Sequence, residues 1–240
     1  MKRFVYVFLF SLLVSASLVS TADAAEVIPH NQVVGFNQVT PYNVTTRAEQ
    51  RFQPYLKVAH GCVPFPAVNA RGQVSGGLGT GGAHNGGCSS SKGQVYARST
   101  WYNGVWAIMY AWYFPKDSPS PGLGHRHDWE GIVVWVDNPG SANPKVQAIS
   151  YSQHGKFVKT PPHSWLMEGT HPKIRYDAPQ WPLNHSLYVD SIRGGMQPVI
   201  GWNDLTSAAR HSLNTHNFGA ANVPFNDNNF WNNLNKAWYK

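Results

Sequence analysis

The sequence predicts a mainly β domain, a central β-sandwich flanked by helices. Four strand-like runs, Gln94–Trp101, Val105–Phe114, Trp129–Val136 and Lys145–Ser152, are separated by Gly- and Pro-rich gaps. Short strands with turn signals between them are the pattern of a sandwich. Helical spacing of apolar residues occurs only in short segments outside this central region. Composition is even and no internal repeat is present, so the length suits one sizeable domain.

The elements follow in chain order. Residues 1–24 read as a secretory signal peptide: Lys2 and Arg3 are a positive n-region, Phe4 to Val19 is apolar, and Ala22-Asp23-Ala24 is a small-x-small cleavage site. The competing reading, a membrane anchor, fits less well because the apolar stretch is short for a spanning helix. Residues 25–240 are then a single exported, extracellular domain. Pro41–Thr46 looks like a helix start with Thr45 or Thr46 as N-cap, leading into a helix over 46–57 with Phe52, Tyr55 and Leu56 inward. Gly72–Gly87 has no apolar period and reads as an irregular surface loop. After the four strands, 203–215 reads as a helix with Leu205, Ala208, Ala209 and Ser212 on one side. Phe230, Leu234 and Trp238 mark a closing helix.

The whole chain carries a net charge of +7, and loss of the leader leaves 17 basic against 11 acidic residues, about +6. Such a balance favours an anionic surface as partner. The basic residues are scattered and the chain is exported, which argues against nucleic acid. Cys62 and Cys88 are the two cysteines. In an exported protein an even count reads as one disulfide, closing a loop worth roughly 3 kcal/mol. Free or metal-binding thiols are the weaker alternative.

The chemistry concentrates in 107–130. Asp117 precedes a Pro/Gly loop, and His125-Arg126-His127-Asp128-Trp129-Glu130 leads into an apolar strand. Polar groups at a core edge are costly without partners. Strand alternation puts Asp128 and Glu130 on one face with Ile132 and Val134. Adjacent carboxylates raise each other's pKa, and a bound divalent cation removes that cost. His125 can fold over the same point, and a hairpin-like return of the loop would bring Asp117 close. Hard oxygen donors favour Ca²⁺, Mg²⁺ or Mn²⁺. Two readings compete: an ordinary ion-pair network with Arg126 neutralising a carboxylate, and a zinc hydrolase with His125, His127 and Asp128 as ligands and Glu130 as base. The helical His-Glu-x-x-His spacing that would support the second is absent.

Ala107 to Pro119, followed by Gly122 to Glu130, closely resembles the signature of the necrosis- and ethylene-inducing-like cytolysins, and Gly124–Glu130 matches the family heptapeptide at every position. Ser75–Leu78, Gly86–Cys88, Thr170–Lys173 and Phe218–Phe225 resemble the family as well. The single cysteine pair is similar to the family's commonest subtype. The resemblance implies a β-sandwich similar to actinoporins and fungal lectins. It also implies a divalent cation, Mg²⁺ or Ca²⁺, held by Asp117, His125, Asp128 and Glu130. The implied activity is non-enzymatic: binding of glycosylinositol phosphorylceramide headgroups by a protein that is a monomer in solution, followed by permeabilisation of the plant plasma membrane. Segment 107–130 would be sensed by a plant immune receptor. The implied headgroup contacts are Trp181, Asn184 and His185, with His154 and His127. The family carries Asp where this chain has Asn184, and Trp181 has a core role as its alternative. A non-lytic lectin-like elicitor and a metal-dependent hydrolase of plant surface polymers remain competing functions.

Overall fold

The computed structural model describes residues 24–180 and 184–240. Most of the signal-peptide segment and Trp181 lie outside them. Strand β1 (Val27–Ile28) opens the described chain and helix α1 (Val44–Arg51) follows. Its N-cap is Asn43, not Thr45 or Thr46: Asn43 Oδ1 accepts from the Thr46 N–H at 2.8 Å and Thr46 Oγ1 returns a bond to the Asn43 N–H. The helix stops at Arg51 and Tyr55–Leu56 lie in strand β2 (Tyr55–Val58). The sequence states the reason, because Pro54 bars its predecessor from helical backbone. Within the expected surface loop, β3 (Val74–Ser75) is buried and pairs in parallel with β1.

The four expected strands form as β4 (Val95–Tyr102), β5 (Val105–Asp117), β6 (His125–Val136) and β7 (Val146–Gln153). Next come β8 (Lys156–Thr160), β9 (Met167–Glu168), β10 (His171–Asp177), β11 (Ser186–Val189) and β12 (Val199–Gly201). The expected helix over 203–215 divides. A 3-10 turn at Trp202–Asp204 precedes α2 (Ser207–Thr215), whose Thr206 side chain caps Ala209 N–H. Ala209, Ser212 and Leu213 face inward while Ala208 is exposed. The closing helix is α3 (Phe230–Ala237), with Phe230 and Leu234 inward.

Six strands make one sheet in the order β12-β4-β5-β6-β7-β8, and β11-β10-β2 make the facing sheet with β9 on the edge of β10. Every residue of β5 is buried, so β5 is covered on both faces. Phe114 stacks on Tyr176 of the small sheet at 3.8 Å. Tyr113 points the opposite way and meets Trp129 and Phe218. Trp135 packs against Trp238 and Tyr239 from the C-terminal segment. This gives a sandwich with a helical and loop layer against the outer face of its larger sheet. The Cys62–Cys88 disulfide is present and both half-cystines are buried.

Candidate functional site

β5 and β6 pair in antiparallel register from Trp106 with Val136 to Asp117 with His125. The loop between them therefore returns His125 directly opposite Asp117. Gly124 makes the return possible. Its φ is +85°, and a Cβ there would fall 2.2 Å from the Asp117 carbonyl oxygen. Strict alternation would put His125 and Asp128 on opposite faces. The left-handed backbone at His127 (φ 61°) breaks that alternation, and both line the same cleft. Glu130 follows two residues later on the Asp128 side.

The cleft has a volume of about 440 Å³ and opens at one end of the sandwich. Asp117, His125, Asp128 and Glu130 form its floor, with Ser152, His154, Asn184 and His185 beside them. Ala221, Asn222 and Lys236 belong to the wall. Three carboxylates are thus nearly buried together, at 1%, 6% and 7% exposure for Asp117, Asp128 and Glu130. Burial drives the Asp128 carboxyl well above the usual range, and the Asp117 charge adds to it. Burial does the same to Glu130, with Asp128 adding. Among the described residues no Lys or Arg forms an ion pair with any of the three. Arg126, the neutraliser in the competing ion-pair reading, instead donates to the Gly76 carbonyl at 2.7 Å.

Each carboxylate is held by at least one hydrogen-bond donor. His185 Nδ1–H donates to Asp117 Oδ1 at 2.6 Å, and its backbone N–H reaches both Asp117 oxygens at 3.2 Å. Tyr176 OH donates to Asp128 Oδ2 at 2.7 Å. Ser152 OH donates to Glu130 and Ser152 Oγ accepts the Gly131 N–H. His125 Nδ1 lies 2.7 Å from the His127 carbonyl oxygen and donates to it, which turns Nε2 toward Asp117, 3.7 Å from Oδ2. Among the described residues no three ligating side chains already stand in a metal cage. The donor set nevertheless suits a hard cation: three carboxylates and one imidazole, with no Lys or Arg paired to them among the described residues. Asp117, His125, Asp128 and Glu130 are the side chains that could hold such an ion, Mg²⁺ or Ca²⁺, once drawn together.

The structure does not bring His127 to the cleft. Its ring is buried, its Nδ1 is 2.6 Å from Tyr113 OH and its edge meets Phe218. Burial first, then His216, push its pKa down to about 4, so it is neutral at pH 7. The same backbone reversal that turns Asp128 inward turns His127 away. His154 and Asn184 line the cleft; His185 does so with its ring fully covered. Sequence reasoning missed Tyr176, Ser152 and His60. Tyr176 and Ile174 alternate with Lys173, Arg175 and Asp177, a half-buried strand signal that was available. His60, whose Nδ1 shares a hydrogen bond with His185 Nε2 at 2.9 Å, is joined to the site only by the fold.

Residues 46–237 match the family model for necrosis inducing protein (NPP1). The chain belongs to the necrosis inducing protein family. NLP effector protein 3 of Phytophthora capsici is 48% identical over 96% of this chain and 98% of its own length. Of another relative, NLP effector protein Pc107869 of the same organism, also 48% identical, the chain spans 63% of the length and covers 89% of itself. Among solved structures, non-toxic HaNLP3 superposes with a TM-score of 0.85 at 44% identity, covering 87% of this chain and 98% of that one. NLPPya in complex with mannosamine gives a TM-score of 0.84 at 45% identity over 89% of this chain and all of that one. The fold is thus that of necrosis-inducing toxins. Among the described residues no helix is long and apolar enough to cross a membrane.

Proposed function

We propose that this chain is a secreted, metal-dependent cytolysin whose cleft binds the sugar headgroup of glycosylinositol phosphorylceramide and thereby permeabilises the plant plasma membrane. The observation that carries the reading is the open cleft floored by three buried carboxylates with no Lys or Arg partner among the described residues. Asp117, His125, Asp128 and Glu130 hold a divalent cation there, which supplies open coordination positions for sugar hydroxyls. Tyr176 and Ser152 orient Asp128 and Glu130, and the His60–His185 pair orients Asp117. His154, Asn184 and Lys236 line the route in. Sugar binding by NLPPya supports a carbohydrate occupant. The net positive charge assists approach to an anionic leaflet. The action is binding and bilayer damage, with no covalent step.

Dye release from vesicles containing plant sphingolipids, with and without EDTA, tests this. Release that EDTA stops and Ca²⁺ or Mg²⁺ restores is expected. Folded, metal-supplied protein that releases nothing overturns it. That outcome would support a second reading, a non-lytic elicitor, since non-toxic HaNLP3 has the same fold.

A further inference from the structure

A second hollow of about 240 Å³ lies between α1, β4, β12 and the start of α3, and shares no lining residue with the carboxylate cleft. We propose that it is a binding site for a small organic cation bearing a primary ammonium group. Glu49 on α1 is 4% exposed, yet it lines this hollow. Its Oε1 accepts the Ser99 hydroxyl at 2.7 Å, while Oε2 receives no donor among the described residues. Asp204 repeats the arrangement: Oδ1 accepts Tyr42 OH at 2.7 Å and Oδ2 receives none.

The two free oxygens converge. A Cβ built on Gly201 would stand 2.7 Å from Glu49 Oε2 and 2.8 Å from Asp204 Oδ2. The oxygens are therefore no farther apart than the sum of those distances, a span that one ammonium nitrogen bridges with two N–H···O bonds. Two carboxylates brought together, one of them on a nearly buried side chain, repel each other, and a cation between them relieves it. The remaining walls suit an organic cation. Trp231, 54% exposed, and Tyr42, 63% exposed, offer ring surface at the rim. Arg98 also lines the hollow, but its guanidinium is engaged by Asp227 at 2.9 Å and lies over the Trp202 and Phe230 rings. A divalent ion would find only two carboxylates where it favours six or more oxygens, and the volume exceeds an ion's needs.

The test is calorimetric titration of the full mature chain with cadaverine at pH 8 in an amine-free buffer, with 1,5-pentanediol as the neutral control. Saturable one-to-one binding of cadaverine and none of the diol is expected. Glu49→Gln and Asp204→Asn should each weaken it about tenfold or more, and Glu130→Ala should leave it unchanged. Gly201→Ala supplies an independent block. Its φ of −74° accepts any residue and its methyl would occupy the space between the two oxygens. Absence of binding, unchanged affinity in the Glu49, Asp204 and Gly201 variants, loss in Glu130→Ala, or a site that takes Ca²⁺ and not the diamine would each overturn the proposal.

Discussion

Replacing Glu49 by glutamine should remove a pH dependence from the folding equilibrium. Glu49 sits on α1 under β4 and β12, and burial raises its pKa from 4.5 to about 7, with Asp204 adding and the Ser99 hydroxyl opposing. The folded state therefore holds a proton that the unfolded chain releases at lower pH. Stability from this group is fully present below about pH 4.5 and is lost as the pH rises through about 7. At about 1.4 kcal/mol per pKa unit, the difference amounts to about 3 kcal/mol. Glutamine keeps an acceptor for Ser99 and presents an amide to Asp204 without a titrating charge. Urea unfolding of both proteins at pH 5 and pH 8, in amine-free buffer with EDTA, reads the effect. The native chain should lose about 2–3 kcal/mol more than Glu49→Gln over that interval, which begins above the unfolded pKa and so misses part of the total, a difference of roughly 4–12 °C in Tm. Titration of the carboxylate cleft is common to both and cancels. Parallel stability profiles, agreeing within about 1 kcal/mol, would show that Glu49 is ionised in the fold and refute the argument.

Three further outcomes follow from the geometry. Asp117→Ala, Asp128→Ala and Glu130→Ala should each abolish vesicle leakage and the thermal stabilisation by saturating Ca²⁺ or Mg²⁺, which for the native chain is about 3 kcal/mol at a hundredfold excess over Kd; three folded variants that still lyse would eliminate this site. Gly124→Ala should destabilise the fold by more than about 2 kcal/mol and displace the Asp117 carbonyl, measured by urea unfolding and by cation affinity; native affinity and stability in the variant would contradict the close approach described above. Removing the disulfide with Cys62→Ser and Cys88→Ser together should cost about 3 kcal/mol, read as a Tm fall of roughly 6–12 °C, and native protein should show no titratable thiol.

The central strands were legible because β5 and β6 are almost unbroken apolar and aromatic runs, which a strand covered on both faces requires. Their ends were less so. β5 continues through Pro115-Lys116-Asp117 because neighbours take up its polar groups: the Pro115 carbonyl accepts Leu78 N–H at 2.7 Å and Lys116 Nζ donates to Ala83 at 2.9 Å. No local pattern announces such partners. Tyr55 and Leu56 misled because their spacing from Phe52 continues a helical face, whereas Pro54 outweighs periodicity. The carboxylate face of β6 followed from period-2 alternation, but His125 and His127 did not, since the break rests on one left-handed residue. The His60–His185–Asp117 chain joins residues 125 and 68 positions apart in sequence, and its members became neighbours only when the two sheets closed.

The burial of β5 also governs when segment 107–130 can be reached from outside the fold. In the fold, 105–119 and 127–130 are buried and only 120–126 rise toward solvent. Main-chain ladders to β4 and β6 occupy both edges of β5. A reagent that reads 107–130 as one contiguous peptide, such as an antibody raised against it, can therefore reach only the 120–126 turn in the folded chain. Proteases meet the same limit until the sheet opens. Cleavage within 107–119 or 127–130 is then a clock for unfolding, and a change that slows unfolding slows that clock.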